Sequence, residues 1–482
     1  MRTGSRALRN AGALSGSQML TQLISVAYGI ALSRYAGPAG FGRLGAAIAV
    51  TAVAYVFADL GLTTLTIRDV ARAEHPGSYY ATNVTLIKLL LLVPINVGLG
   101  AFMAAAHYGP QQVALVWLYS GNAALASLLG VRSAILQGRE DIHLVAAIQM
   151  GRDLLNVGLS IVGILLGWSL PALVGISIFA TFVQLTAYLV VSRRRDAVFS
   201  LAQASPQAVQ QLVRGAMVFG AFLVITTVYS QLSVVLVSVM LGETQTGYYT
   251  VALAMASLVA LVPSAASQSL FPVFSRFNAR EPAKLADAYA DSYRLLCVAG
   301  FGSAVVALLC VRPAVGLVWG TQYAGSIAIA QVLILGSFAA ASQVSGAFMN
   351  STGRQGLFTT TYVLAIGIQV LLAVLLVPRM GVVGAAVAYL TSVALGYIFY
   401  SWYCFRAVGH GFPWGPNLRC ALSAVMAVVA VRIAVLAGAP QLFAAVLVGG
   451  SVYALMALAL RCVRRADWDV LRGVVSPASK GS

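Results

Sequence analysis

Polar side chains recur on one face of an otherwise apolar segment at residues 143–167. Gln149, Arg152, Asp153 and Asn156 stand at positions i, i+3, i+4 and i+7, which is the spacing of one helical face. A guanidinium is a planar fork that pairs with phosphate or carboxylate oxygens. A polar stripe against lipid would be unfavourable, so we expect this face to line the interior. Hydrogen bonding to a neighbouring helix is the alternative.

A milder stripe of amides and hydroxyls lies in the first apolar segment. Gln18 and Gln22 stand between Ser15 and Ser25 at helical spacing. By the same argument these side chains are expected to face the interior of the protein.

Asp59 is the single charged residue of the stretch "AYVFADLGL". One interpretation is a hydrated group near a helix end. The other is a group in the mouth of a cavity that takes a proton or pairs with a cation such as Arg152. Gly61 follows two residues later, so local unwinding of the helix is compatible with either interpretation.

Lys88 is a second candidate cavity residue. A charge at the centre of a span costs about 2.5–3.5 kcal/mol on insertion scales and tends to face a cavity. A long cationic side chain can instead extend to the membrane surface. We expect this second behaviour of Lys88 and of Arg132, and it is also open to Arg152.

Signatures of an enzyme are missing from the sequence. No lysine follows a glycine, so there is no phosphate-binding loop of the G-x-x-x-x-G-K-[ST] type. The four histidines have no metal-ligand spacing, and the five cysteines form no CxxC pair. We therefore predict a protein without catalytic residues, metal or cofactor. Coupling to protons or sodium is left open.

The composition of the chain indicates whether its surface faces water or lipid. Of 482 residues, 60% are hydrophobic and only 9% are charged, and the mean hydropathy is +0.88. A soluble domain carries about 25% charged residues. Most of the surface must therefore face lipid.

Apolar runs long enough to cross a bilayer number fourteen. About 20 helical residues span the hydrocarbon, and a backbone in lipid must satisfy its own hydrogen bonds, so each run is predicted to be a helix. The predicted spans are 10–33, 44–66, 82–106, 111–137, 143–167, 170–192, 212–241, 246–272, 291–312, 325–349, 356–378, 381–405, 417–437 and 441–461.

Arginine and lysine residues set the orientation. With the N-terminus inside, 24 of the 30 lie on the cytoplasmic side, and Lys88 and Arg432 lie within spans. The remaining four are on the outside: Arg34, Arg43, Arg312 and Arg379. The positive-inside bias predicts that both termini are cytoplasmic, and it explains the net charge of +17 without an acidic partner or a nucleic acid.

The chain contains an internal repeat. In "AGPAGFGRLGAA" and "LGETQTGYYTVA", Gly37 matches Gly242 and Gly42 matches Gly247, both at an offset of 205. Two six-helix halves in one orientation follow, a transporter architecture with the pathway between the halves. We predict an all-α polytopic membrane protein with two parallel six-helix repeats around a central cavity. The predicted domains are 1–205, 206–416 and a pair of extra helices with a tail at 417–482.

Several short motifs resemble a known family in type and order. The "GPAGFG" loop, "ADLGL", "LQGRED" and "VPRMGVVGAAVAY" are similar to those of the polysaccharide-exporter branch of the MOP superfamily, the Wzx-type flippases of O-antigen and exopolysaccharide units. The resemblance covers about residues 8–405. It implies alternating access around a central cavity and, as cargo, an undecaprenyl-pyrophosphate-linked oligosaccharide whose phosphates Arg152 would meet.

The resemblance also implies a multi-pass protein of the bacterial cytoplasmic membrane, with membrane lipid and a polysaccharide polymerase or export complex as partners. Two alternatives stay open. One is a lipid II or teichoic-type flippase, a branch that also carries two extra C-terminal helices. The other is a MATE-like multidrug or cation antiporter, which should carry several carboxylates in its cavity, whereas these spans offer only Asp59 and Asp153.

The charge distribution makes the topology testable. Single cysteines at Gly109 and Gly438 should react with an impermeant thiol reagent added from the periplasm, whereas one at Ala204 should be protected. Labelling of the cysteine at position 204, with protection of the cysteines at positions 109 and 438, would contradict the predicted orientation.

Overall fold

In a computed structural model, the backbone is described for residues 2–193, 199–280, 282–353 and 355–462. The side chains of residues 2–24, and of scattered positions between 218 and 358, lie outside this description. Gln18 and Gln22, predicted to face the interior, are among them.

Residues 1–247 form one compact unit. Apolar runs dictate its helices because lipid offers the backbone no hydrogen-bond partners. The helices are α1 (Arg2–Asp59), α2 (Leu62–Ala71), α3 (Gly77–Ala105), α4 (Pro110–Gly138), α5 (Ile142–Leu165), α6 (Leu170–Arg193) and α7 (Pro206–Leu241), with a 3₁₀ turn at Leu201–Gln203.

Residues 248–482 form a second unit, and α8 (Glu243–Arg280) begins at the end of the first. The remaining α-helices are α9 (Pro282–Ala314), α10 (Ser326–Leu335), α11 (Ser342–Ser351), α12 (Gln355–Met380), α13 (Val382–Ala407), α14 (Trp414–Leu436), α15 (Gln441–Phe443) and α16 (Gly450–Ala459). A 3₁₀ segment, Gly336–Ala341, joins α10 to α11, and a π-helical segment, Ala444–Gly449, joins α15 to α16.

The architecture confirms the predicted class of an all-α membrane protein. Twelve helices of the described residues are long and apolar enough to cross a bilayer, and no strand occurs in that part of the chain. Fourteen is reached when α1 is counted as two at its break and α8, 38 residues long, is included. The proposed limits at 205 and 416 remain predictions.

The second predicted span, 44–66, is not one helix. The helix α1 ends at Asp59, Leu60 and Gly61 adopt positive φ (42° and 84°), and α2 begins at Leu62. The helix is therefore interrupted beside Gly61, and Asp59 lies at a helix end with its side chain 20% exposed.

The repeat predicted from glycine spacing has a matching backbone geometry. Gly37 (φ 65°, ψ 175°) and Gly242 (φ 80°, ψ −172°) adopt nearly the same conformation, which side chains disfavour. A Cβ on Gly42 would overlap the carbonyl oxygen of Glu243, and one on Gly247 would overlap that of Pro38. The contact is reciprocal, because Pro38 and Glu243 follow the two matched glycines.

Each unit has buried apolar clusters of its own. In the first unit, one cluster packs Leu44 and Leu99 against Val116 and Leu173, and another packs Leu62 with residues of α3, α4 and α7. In the second unit, the buried cluster is rich in aromatic side chains. The Tyr289 ring lies about 5 Å from the Phe348 ring and about 5 Å from the Phe405 ring.

The close backbone approach predicts unequal effects of two glycine substitutions. Gly42→Ala should lower the melting temperature in detergent, because overpacking of a tight contact costs about 1–3 kcal/mol. Gly29→Ala is the matched control on the same helix, since a Cβ there meets nothing within 4 Å. Ala is less destabilising than Gly inside a helix by about 0.5–1 kcal/mol, so Gly29→Ala should not lower the melting temperature. Equal melting temperatures for the two variants would contradict the reciprocal contact.

Candidate functional site

An ion pair joins the end of α1 to the middle of α3. The Lys88 Nζ lies 2.8 Å from Asp59 Oδ1 and also donates to the Ser127 carbonyl at 3.2 Å. Thr63 Oγ1 donates to the same carboxylate oxygen. The Lys88 side chain is 2% exposed and that of Asp59 20%, so the cation is the more deeply buried partner.

The expectation that Lys88 and Arg132 extend to the membrane surface is wrong, because both are buried within the first unit, at 1% and 5% exposure. Both side chains project between helices, so the depth and rotation of α3 and α4 decide where these side chains lie. Asp59 pairs with a cation, as one interpretation predicted, but this cation is Lys88 and not Arg152.

The polar face of α5 packs against α6 and forms a ladder of side-chain hydrogen bonds. Gln184 Nε2 donates to Gln149 Oε1 at 2.9 Å, and Ser177 Oγ donates to Asn156 Oδ1 at 2.9 Å. Between these rungs, Arg152 lies 3.4 Å from Thr181 Oγ1. All three rungs keep one antiparallel register. The alternative of helix-to-helix bonding therefore holds for much of this stripe.

Arg152 and Asp153 form an ion pair at the centre of the ladder. The Arg152 Nη1 lies 2.9 Å from Asp153 Oδ1, and the side chains are 22% and 10% exposed. The second carboxylate oxygen, Oδ2, is buried without a hydrogen-bond partner among the described residues. Arg152 therefore neutralises Asp153 while part of its own side chain stays accessible.

Exposure along α5 increases toward its N-terminal end, the end that the charge distribution predicts to be cytoplasmic. Asn156 is buried, Arg152 is partly exposed and Gln149 is exposed. On α6 the order is reversed, because Ser177 is partly exposed whereas Thr181 and Gln184 are buried.

Sequence reasoning missed four residues that complete this group. Ser177, Thr181 and Gln184 are spaced at i, i+4 and i+7 on α6, so the same search for a polar stripe could have found them. Tyr28 lies near Ser160 and Arg152. It extends the predicted stripe of the first helix by one turn, because it follows Ser25 by three residues.

An apolar groove lies beside the Asp59–Lys88 pair. Its volume is about 520 Å³, and it runs between α1, α3 and α7. Phe57 and Leu60, the neighbours of Asp59 in the chain, form part of its wall with Leu91 and Pro94. An apolar chain could lie there with a polar head near the ion pair. No cluster of three metal-ligating side chains occurs in the described residues.

Comparison with known proteins identifies the family. A family model described as "Polysaccharide biosynthesis protein" matches residues 31–328, more than half of the chain. The chain belongs to this family. Membership places it among membrane transport proteins and not enzymes, as the missing catalytic motifs predicted.

A curated relative agrees with this family assignment. A probable low-salt glycan biosynthesis flippase, Agl15 of Haloferax volcanii, is 24% identical over 255 residues, which is 50% of this chain and 53% of that protein. The chain thus matches about half the length of this relative.

The fold of this chain is that of MOP-superfamily transporters. The lipid II flippase MurJ, in an inward closed conformation, superposes with a TM-score of 0.75 at 12% identity and covers 95% of this chain and 99% of its own. An inward-facing multidrug resistance MATE transporter gives 0.66 at 16% identity, over 81% of this chain and 94% of its own.

The unequal burial of the ion pair predicts unequal effects of breaking it. Asp59→Asn leaves the buried Lys88 ammonium without its carboxylate and should destabilise the protein by about 3–5 kcal/mol. Lys88→Met leaves a partly hydrated carboxylate and should cost less. The double variant should recover much of the loss of Asp59→Asn, because no unpaired charge remains.

Melting temperatures of the four proteins in one detergent measure this coupling as a double-mutant cycle. Additive effects of the two substitutions would contradict a direct interaction between the side chains.

Proposed function

We propose that the protein is a flippase that moves undecaprenyl-pyrophosphate-linked oligosaccharide units across the cytoplasmic membrane by alternating access. The observation that carries this proposal is the charge balance of the first unit. Asp59 at the helix break and Asp153 on the polar face of α5 are each paired with a cation, while the Arg152 side chain remains 22% exposed.

This balance favours an anionic cargo over a cationic one. A cation exporter needs carboxylates that are free to exchange a proton for the cargo, and both carboxylates here are neutralised by neighbours. Pyrophosphate oxygens would instead find an accessible planar fork at Arg152, which suits phosphate better than a point charge does. The multidrug antiporter is therefore the weaker candidate.

The neutral groups of the ladder suit the sugar part of the cargo. Amides such as Gln149 and Gln184 are both donors and acceptors, as sugar hydroxyls are. Gln149 is exposed and lies nearest the start of α5. It would therefore be the first of these groups to meet a cargo arriving from the predicted cytoplasmic side.

The apolar groove between α1, α3 and α7 suits the lipid part. Its lining is almost entirely aliphatic and aromatic, with Val50, Leu99 and Phe102 on its walls. An isoprenoid chain could remain in contact with this groove and with bulk lipid while the head group crosses. The chain would then never pass through a polar environment, which keeps the apolar surface out of water.

The names of the relatives support the same class of cargo. Agl15 is described as a probable glycan biosynthesis flippase, and MurJ as a flippase of lipid II. We extend to this chain a lipid-linked glycan as cargo, the bacterial inner membrane as location and both termini in the cytoplasm. A polymerase or export complex would take up the flipped units.

The proposal predicts a graded series at position 152. In cells lacking their own exporter, Arg152→Ala should reduce the lipid-linked units that appear on the periplasmic face by roughly tenfold or more, equivalent to about 1.4 kcal/mol. Arg152→Lys should be less impaired, because it keeps the charge but not the fork. Arg214→Ala, an exposed arginine of α7 outside the ladder, is the control.

Protein levels in the membrane are measured in parallel. Because Arg152→Ala leaves Asp153 unpaired, the double variant Arg152→Ala/Asp153→Asn separates lost stability from lost transport. Wild-type export by either alanine variant at equal protein level would refute the role of Arg152.

A further inference from the structure

A cavity of about 680 Å³ lies in the second unit, where five helices begin or end. Its wall includes Arg312 near the end of α9, Ala328 near the start of α10 and Val383 near the start of α13. Val435 near the end of α14 and Gln441 at the start of α15 complete the rim. Since helix ends of a membrane protein lie near the membrane surface, the cavity opens at one face of the bilayer. The charge distribution predicts that this is the periplasmic face.

The cavity has both a charged and an apolar part. Arg312 and Arg432 lie within four residues of the ends of α9 and α14, whereas Leu308 and Val428 lie further from these same ends. Val428 precedes the end of α14 by eight residues, or about 12 Å along the helix. A ligand that fits has a polar head at the membrane surface and an apolar chain that reaches into the hydrocarbon.

The charge of the rim identifies the sign of the head group. Arg312 and Arg432 come from helices separated by more than a hundred residues in the chain, yet both line this cavity, and no acidic residue does. Among the described residues neither guanidinium has an ion-pair partner. Both residues are exposed at the rim. Their guanidinium groups are therefore accessible to anionic oxygens from outside the chain, with no carboxylate of the protein to compete for them.

We infer that this cavity binds one anionic glycerophospholipid of the outer leaflet. Arg312 and Arg432 hold its phosphate, because guanidinium groups donate bidentate, charge-assisted hydrogen bonds to phosphate oxygens. Gln331, deeper on α10, faces the glycerol region, and an acyl chain lies against Leu308 and Val428. The two C-terminal helical segments α14 and α15, which lie outside the predicted repeat, thereby form part of a lipid site distinct from the polar groups of the first unit.

Purified full-length protein in a mild detergent, titrated with phosphatidylglycerol and observed by native mass spectrometry, tests the inference. The wild type should retain one phosphatidylglycerol. The double variant Arg312→Gln/Arg432→Gln should weaken retention by roughly tenfold or more, since two charge-assisted contacts are lost. Ala328→Leu, which fills the cavity without removing a charge, should weaken it as well.

Matched controls separate this site from general attraction of anions to a basic protein. Arg379→Gln removes an exposed arginine predicted on the same membrane face but absent from the cavity wall, and should retain the lipid like the wild type. Diacylglycerol, which has chains but no phosphate, should not be retained. Inorganic phosphate, which has no chain, should not displace the lipid.

Equal retention by the wild type and the double variant would overturn the inference. Displacement by inorganic phosphate would show a simple anion site and overturn the assignment to a lipid. Preferential retention of undecaprenyl phosphate over phosphatidylglycerol would overturn the choice of a glycerophospholipid. Melting temperatures of all variants, measured in the same detergent without added lipid, identify any variant whose loss of binding reflects unfolding.

Discussion

The Lys88 ammonium is held almost completely away from solvent, and a buried charge of this kind persists only with a partner of opposite sign. Its partner is the last residue of α1. The chain ends that helix at Asp59, turns through Leu60 and Gly61 and resumes at Leu62. The carbonyl groups left open at a helix C-terminus carry partial negative charge, which also favours a nearby cation. The helix break and the ion pair therefore stabilise one another, and α1, α3 and α4 meet at this point.

Much of the fold could be predicted from the periodicity and length of the apolar runs, because lipid permits few alternatives to helices. The break beside Gly61 was also within reach, since a glycine after a charged residue in a span indicates where a helix can unwind. The partner of Asp59 could not be predicted in this way. Which cation pairs with Asp59 depends on the rotation and depth of the neighbouring helices, and the sequence gives neither. Lys88 was assigned to the membrane surface because a sequence does not show that α4 covers its side chain.

The stripe on α5 shows a second limit of the same kind. Periodicity identified the correct face, but a face that avoids lipid can serve either a ligand or a neighbouring helix. In this protein the face bonds to the neighbouring helix: Asn156 accepts from Ser177 and is buried, and Gln149 accepts from Gln184 but remains exposed. A search for a matching stripe on the adjacent span would have indicated the partner helix.

The crossing of Gly42 and Gly247 has a consequence for how this protein can vary through evolution. The three atoms nearest to a Cβ on either glycine all belong to the main chain, so a change of side chain at a second residue would not make room for a substitution at either one. Contacts between side chains leave correlated changes in alignments, whereas this contact would leave none. Methods that infer proximity from covariation would therefore not detect the close approach of the main chain at Gly42 and Gly247.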